Sequence, residues 1–363
     1  MALKIEPRTE IDRRLVWVTP LLAVALTVLV GFFLFWAMGK NPLVTLYHFF
    51  ISPVRDLYGV SELCLKAAPL ILIGVGLSLG FRANVWNIGA EGQLTMGAIA
   101  GGGIALYFWE QDGAFILPLM VVASILGGML YASIPALLKT RFGVNEILTS
   151  LMLTYVATLF LSILVYGPWK DPDGFNFPET RMFSESATLP LLLENTRLHV
   201  GFLVAIAVAV LAWILMSRTV LGFEIRTVGE APQAAGFAGF DPARTTWFCL
   251  LLSGGLSGLA GLFEVAGPIG QLVPVLTPGY GFTAIIVAFL GRLHPIGIIF
   301  AGLLMALSYI GGENAQVEVG LPQAVTGVFQ GLLLFFILAT DFLTRYRIRS
   351  VEAPAATSKG GMA

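Results

Sequence analysis

Charge is scarce in this sequence. Only 12% of the 363 residues are Asp, Glu, Lys or Arg, about half the ~25% usual in a soluble domain. The formal net charge of −1 says nothing about nucleic acid. The only local bias is the basic bias of certain loops, which membrane topology explains, and no nucleic-acid partner is expected. Cysteine is nearly absent. Cys64 and Cys249 both fall in apolar segments and read as small core residues, not as a disulfide or metal pair. The three histidines, His48, His199 and His294, are far apart at the edges of predicted spans. They read as interfacial residues, and no metal site is expected. No Ser-His-Asp or Cys-His set can be assembled. A phosphate loop is missing as well: of six lysines only Lys40 follows a glycine, and Asn41 comes next in place of Ser or Thr. The chain is therefore expected to be no enzyme, to hold no cofactor and to bind no ATP through such a loop.

What is present is apolar: 57% of the residues are hydrophobic. Runs near 20 residues recur between short polar stretches, the length that crosses a ~30 Å hydrocarbon core as a helix. The period-2 alternation of a membrane β-barrel is not visible. The first run, Leu15 to Met38, follows Lys4, Arg8, Arg13 and Arg14, and is too long for a signal-peptide core. The fold class is all-α, a polytopic membrane protein with about ten transmembrane helices. The spans are 15–38, 62–81, 94–109, 114–138, 147–166, 198–216, 245–264, 280–291, 295–311 and 323–343. With an even count and both termini cytoplasmic, Lys40, Arg55, Lys66, Lys170, Arg181 and Arg197 fall outside, and the other 15 of 21 basic residues fall inside. Residues 1–14 form a cytoplasmic segment, 15–343 a single transmembrane domain, and 344–363 a cytoplasmic tail. With five spans per half, any duplicated halves would be inverted relative to each other.

Four polar or glycine-rich features interrupt this pattern. The outer loop 167–197 carries Asp171, Asp173 and Glu179 before Arg181, and four prolines. It caps the outer face, touches a partner there, or is a flexible connection. The inner loop 217–244 contains "GEAPQAAGFAGF", which has the punctuation of a very short helix. Glu230 stands at its N-terminus, Pro232 in its first turn and Gly236 at its end. Such a helix would present Ala234, Ala235, Phe237 and Phe240, either to a groove on another protein or to its own membrane ends. Gly97, Gly101, Gly254 and Gly258 have the small-xxx-small spacing of closely packed helices. Finally, "GFRANVWNIGAEGQL" (80–94) places Arg82, two asparagines, Trp86, Glu91 and Gln93 between two apolar runs. Both a surface turn and a re-entrant break are open for it.

Charged groups at membrane depth cost roughly 2.5–3.5 kcal/mol on insertion scales. Lys66 is near enough to the outer end of its span to snorkel. Glu264 is either interfacial or a pathway residue. Asn145 and Glu146 open the fifth span, where capping accounts for their types.

A permease without an ATP site, with a docking helix in its largest inner loop, resembles the membrane subunit of an ABC importer. "FRANVWNIGAEGQL", "GVNEILTSLMLTY" (143–155), "GLAGLFEVAGPIGQL" (258–272) and "PGYGFTAIIVAFLGRLHPIG" (278–297) together resemble the permease subunits of bacterial nucleoside ABC importers. That group lies within the wider set of ribose-type sugar and branched-chain amino acid permeases. The resemblance implies an ATPase subunit carrying ATP and Mg, a second permease chain (paralogue or self), a periplasmic or lipoprotein binding protein, and a lipid-embedded site in the bacterial inner membrane. It implies ATPase coupling by Gly229, Glu230, Gln233, Ala234, Ala235, Gly236 and Phe237, although Pro232 and Gln233 interrupt the commoner E-A-A order. A nucleoside needs amide or carboxylate partners for its ribose and aromatic faces for its base. Asn84, Trp86, Asn87, Glu91, Gln93, Asn145, Glu146, Glu264, Tyr280 and Phe282 are the pathway candidates. The expected function is nucleoside translocation driven by ATP hydrolysis on the partner. A ribose-type sugar permease is the alternative, and an ion-coupled secondary transporter or a channel-like protein the remaining rivals.

Overall fold

The computed structural model describes the backbone of residues 2–7 and 13–351, and the side chains of residues 18–340. Residues 1, 8–12 and 352–363, where solvated ends are expected, lie outside the described residues. The chain divides into two units, 1–42 with 327–363, and 43–326.

The first unit holds helix α1 (Arg13–Ala37) and most of the last helix, α13 (Ala324–Arg345). Phe35 of α1 stacks on Phe329 of α13, with ring centroids 5.3 Å apart. Two strands, β1 (Ala2–Pro7) and β2 (Tyr346–Val351), pair antiparallel from Ala2 opposite Val351 to Pro7 opposite Tyr346. Among the described residues this pair is the only sheet, and the fold is otherwise helical, in line with the all-α expectation.

The second unit is helical. Its helices are α2 (Pro42–Phe50), α3 (Leu57–Arg82), α4 (Ala90–Tyr107), α5 (Ile116–Phe142), α6 (Glu146–Tyr166), α7 (Gly201–Arg218), α8 (Val220–Glu230), α9 (Pro232–Phe237), α10 (Pro242–Glu264), α11 (Tyr280–Leu290) and α12 (Pro295–Val319). Local chemistry sets several of the boundaries. Asp56 caps α3 by accepting from the Gly59 amide at 2.7 Å, and Asp241 caps α10 by accepting from Ala243 at 2.9 Å. Pro242 and Pro295 occupy first-turn positions, and Gly143 and Gly320 end α5 and α12 in the left-handed region.

Among the described residues seven helices are long and apolar enough to cross a membrane: α1, α3, α5, α6, α7, α10 with its extension to Ile269, and α12. The sequence expectation of about ten spans also counted shorter or more polar segments. At 11 residues α11 is about 16 Å long at ~1.5 Å per residue, too short to cross alone. Helix α2 lies in a stretch that the sequence reading left unassigned.

Helices α3 and α10 form the centre and are buried along most of their length. Gly76 of α3 faces Ser253 of α10, and the Leu79 carbonyl faces the Cys249 thiol, so the two run antiparallel. Around them α5, α6 and α7 bury one stripe each and expose apolar residues such as Leu130, Ile163 and Leu211, a surface suited to lipid. Glycine permits the central contacts. A Cβ on Gly97 would strike the backbone of Gly258, and one on Gly254 would meet the Gly128 carbonyl at 2.6 Å. The small-xxx-small spacing in the sequence is thus the α4–α10–α5 seam.

Gly258→Val is expected to destabilise the protein by about 1–3 kcal/mol through overpacking, seen as a lower thermal midpoint of the detergent-solubilised protein. Gly331→Ala, with nothing within 4 Å of the added carbon, leaves the midpoint unchanged or slightly higher.

Candidate functional site

The end of the second unit carrying residues 167–197 is called upper, and the end carrying residues 217–244 lower. Helix α3 ends at Arg82 in the lower half, and residues 83–89 are not helical. Backbone that leaves a helix inside a membrane must find partners in protein. The Val85 amide donates back to the Gly80 carbonyl at 2.9 Å, and the Ile88 amide donates to Ser150 Oγ on α6 at 3.1 Å. Asn87 and Gln93 form a reciprocal amide pair. Asn87 Nδ2 donates to Gln93 Oε1 at 2.8 Å, and Gln93 Nε2 donates to Asn87 Oδ1 at 3.1 Å. Asn87 also donates to Ser253 Oγ at 3.0 Å and accepts from the Gly89 amide at 3.1 Å. Both side chains are fully buried. Ser253 stands 11 residues beyond Pro242, about 16 Å along an axis of about 34 Å. The segment therefore climbs back from the lower end to the middle of α10. It is a re-entrant break, and the surface-turn reading is set aside.

The pathway candidates in this stretch separate by environment. Asn87 and Gln93 spend their polar atoms holding the break together. Asn84 is exposed, adopts a positive φ of 56°, and accepts from Trp86 Nε1 at 3.0 Å. Trp86 packs its ring against Phe81 at 4.9 Å and Phe289 at 6.1 Å. Asn145 caps α6 by accepting from Ile147 at 2.8 Å. Glu146 pairs with Lys139 and accepts from the Trp86 amide at 3.3 Å. The capping reading of Asn145 therefore agrees with the geometry, and Glu146 adds a tie to the break.

A second break follows α10. After Glu264 the chain forms a π-helical turn over Val265–Ile269, runs non-helically to Gly279, and enters α11. Such turns recur at functional sites. The N-termini of α4 and α11 meet, because a Cβ on Gly281 would run into the backbone of Glu91. The Glu91 carboxylate, in the first turn of α4, caps α11 as well. It accepts from the Gly281 amide at 2.5 Å and from the Thr277 hydroxyl. From there α4 rises until Gly102 meets Leu272, while α11 descends to a turn whose Leu293 carbonyl accepts from Arg82 Nε at 2.9 Å. Helix, break and helix thus recur in inverted sense, although no repeat is visible in the letters.

Above this junction lies a group of polar side chains. Lys66 on α3 pairs with Glu313 on α12 at 2.5 Å. Glu264 is buried and makes no hydrogen bond among the described residues, but interacts electrostatically with Lys66, Glu91 and Arg197. The Tyr280 ring meets the Tyr309 ring edge-on at 5.3 Å, and Tyr309 shares a hydrogen bond of 2.6 Å with Thr283. Phe282 faces away and is exposed. Glu62, one turn before Lys66, grips Arg197 through bonds of 3.0 and 2.5 Å. That hydrogen bond raises the Arg197 guanidinium further above its ordinary range. Of the predicted residues, Glu91 and Tyr280 are brought together at the start of α11. Glu62, Lys66 as a partner of Glu313, Ser150, Ser253, Thr277 and Tyr309 were not among the sequence candidates. Only the i, i+4 charges Glu62 and Lys66 inside an apolar run offered a signal.

The upper loop is docked. Phe183 donates to the Gly270 carbonyl at 2.8 Å, Leu189 to Ala266 at 2.9 Å, and Thr180 to Leu272 at 3.1 Å. Gln271 donates to Glu179 at 2.8 Å, and the Arg181 guanidinium sits 4.5 Å over the Trp109 ring. The loop is thus held against residues 266–272 by hydrogen bonds, unlike a flexible connection.

At the lower end the short helix is present, with corrected punctuation. Glu230 closes α8 instead of opening α9, Ala231 is the N-cap, and the left-handed stop is Gly239 at φ 87° while Gly236 lies inside the helix. Gln233, Ala234, Gly236 and Phe237 are exposed, Phe237 almost completely at 96%. Ala235 is fully buried, and Phe240 packs edge-on against Phe223 at 5.9 Å, so neither is presented as expected. The buried face of so short a helix is set by its own flanks. Beside α9 an open cleft of about 290 Å³ lies between Leu221, Phe240, Arg244 and Phe248. Gly229 abuts the Arg82 carbonyl so closely that a Cβ would collide with it, joining the end of α8 to the start of the first break.

Asn87→Ala leaves Gln93, Ser253 and the Gly89 amide short of partners, at about 1–3 kcal/mol for each buried group left unsatisfied. A fall in the thermal midpoint of the solubilised protein checks this, and Asn84→Ala at the exposed position is expected to change it by under about 0.5 kcal/mol.

The model of the family described as "Branched-chain amino acid transport system / permease component" matches residues 59–338. Among similar proteins, a glucose ABC transporter permease protein of Haloferax volcanii is 37% identical over 99% of this chain and 98% of its own length. A nucleoside ABC transporter permease protein of Lactococcus lactis is 29% identical over 94% and 96%. A guanosine ABC transporter permease protein of Bacillus subtilis is 32% identical over 83% and 86%. The match spans both breaks, the junction of α4 with α11 and the short helix α9, and the chain belongs to the family of branched-chain amino acid transport system permease components.

Proposed function

We propose that this chain is the membrane permease subunit of an ABC importer that carries nucleosides inward. The observation that carries the reading is the family match across residues 59–338, joined to full-length relatives named as nucleoside permeases. A sugar is the second reading, favoured by the 37% identity to the glucose permease. The upper end faces outside and both termini face the cytoplasm of the inner membrane, the orientation that places 15 of 21 basic residues inside. About ten segments then traverse or enter the bilayer, with α11 as a half-span.

In this reading an ATPase subunit holds ATP and Mg and seats its groove on the exposed face of α9, with Gln233, Ala234, Gly236 and Phe237 as contacts. Movement of α8 and α9 reaches the translocation path through the Gly229–Arg82 contact, and from Arg82 through Leu293 to α11. A binding protein delivers solute at the docked upper loop, and a second permease chain completes the pore. Glu91, Glu264 and Tyr280 line the path. Asn84, Trp86, Asn87, Gln93, Asn145 and Glu146 hold its lower wall in register.

Uptake of labelled nucleosides and glucose in cells with and without the partner ATPase tests this. The expected result is uptake that depends on the ATPase. Uptake that survives its loss and collapses with the proton gradient contradicts the reading. Phe237→Ala, at a position 96% exposed, is expected to leave abundance and thermal midpoint unchanged while lowering coupled uptake roughly tenfold, as for an interface anchor worth about 1.4 kcal/mol.

A further inference from the structure

The segment 217–244 carries three arginines and three acids, and the fold sorts them. Two of the acids, Glu224 and Asp241, line the open cleft of about 290 Å³ beside α9, where Arg244 alone of the lining residues is basic. Leu221, Phe240 and Phe248 supply its apolar walls. The cleft is built from α8, from the turn after α9 and from the first turns of α10, so its two carboxylates meet across 17 positions of sequence. Their oxygens are only partly engaged. Glu224 accepts from the Thr245 hydroxyl at 2.8 Å through Oε1, and Oε2 has no hydrogen-bond partner among the described residues. Asp241 accepts from the Ala243 amide at 2.9 Å through Oδ1, while Oδ2 meets Arg244 Nε at 3.4 Å. The Arg244 side chain is 88% exposed, and a solvated pair at that distance holds weakly. The cleft therefore keeps acceptors in hand beside aromatic walls.

That chemistry selects the occupant. Two carboxylates repel an anion. A metal ion wants a third ligand, and among the described residues no three His, Cys, Asp or Glu side chains converge. A wholly apolar anchor would strip water from both carboxylates and give nothing back. The volume lies at the low edge of the ~300–1,000 Å³ of small-molecule pockets, a size that suits one long side chain. A guanidinium answers every wall. Its planar fork of donors can meet Glu224 and Asp241, and its stem and flat face suit Phe240 and Phe248. The cleft also continues the exposed face of α9, because Gly239 and Phe240 follow within three residues of its last residue, Phe237. A protein seated on that face reaches the cleft as well. We infer that the cleft is the socket for an arginine side chain of the ATPase subunit, which takes the place of Arg244 on Asp241. The inference rests on the permease reading above. It adds to the apolar contact at Phe237 a charged contact that fixes how the ATPase sits against α8 and α10.

The test titrates the purified ATPase subunit onto the full-length permease, paired with its second chain in nanodiscs, and reads Kd at low and high salt. Glu224→Gln and Asp241→Asn keep the shape of each side chain, and Asn still caps α10. Each is expected to weaken binding roughly tenfold at low salt and to flatten its salt dependence. Arg244→Ala releases Asp241 and is expected to tighten binding about two- to fivefold, a gain that a merely structural role for the acids would not produce. A photoreactive phenylalanine analogue in place of Phe240 is expected to cross-link to an arginine-bearing peptide of the ATPase. Unchanged binding in both acid variants, weaker binding in Arg244→Ala, or cross-linking to the second permease chain or to residues 352–363 of this chain overturns the socket and leaves the permease reading standing. An unsubstituted protein that binds no ATPase overturns both. The thermal midpoints of the two acid variants are expected to match that of the unsubstituted protein; a fall in both marks the acids as structural and contradicts the inference.

Discussion

The reciprocal amide pair between Asn87 and Gln93, anchored on Ser253, is the interaction on which the rest of the site depends. Backbone cannot leave a helix within an apolar bundle unless its donors and acceptors find partners. These side chains, with Ser150 on α6, meet that requirement for residues 87–89 at the middle of α10. Once the break is held there, α4 must start at mid-height, and its first turn brings Glu91 to the N-terminus of α11. Two half-length elements then meet head to head, with one carboxylate satisfying both helix dipoles. A polar junction inside a membrane bundle follows from a few hydrogen bonds.

The same geometry connects the two ends of the protein. Below the junction, Gly229 brings the end of α8 against Arg82, and Arg82 reaches the α11–α12 turn through Leu293. Above it, the loop 167–197 bonds to residues 266, 270 and 272, the stretch that leads from α10 toward α11. The short lower helix is thereby joined to the turn at the end of α11, by the Gly229–Arg82 contact and the Arg82–Leu293 hydrogen bond. Glycine is needed at 229 because backbone has to meet backbone there. Rigid helices and two non-helical stretches suit alternating access better than a continuous bundle would.

Much of this was legible in the letters, and the limits have physical causes. Apolar runs gave the helices, since membrane length and hydrophobicity are both local properties. Glycine spacing gave the α4–α10–α5 seam for the same reason. The short lower helix was visible from Pro232, but its buried face was not, because whether Ala235 or Phe237 points outward depends on how the flanking helices enter. The polar stretch 80–94 advertised itself, but not that Asn87 and Gln93 satisfy one another. Their partner Ser253 lies 166 residues from Asn87, and sequence spacing carries no information at that distance. Glu264 was visible as a charge in an apolar run.

The central claim is that the junction of α4 with α11 borders a water-filled path for solute. It is tested most directly by thiol labelling of Tyr280→Cys in the assembled transporter, with Cys64 and Cys249 replaced. The account predicts labelling by a charged, membrane-impermeant reagent, at a rate that changes with the nucleotide state of the ATPase and falls when transported solute is present. Labelling by a lipid-soluble reagent alone, indifferent to nucleotide and solute, would contradict it.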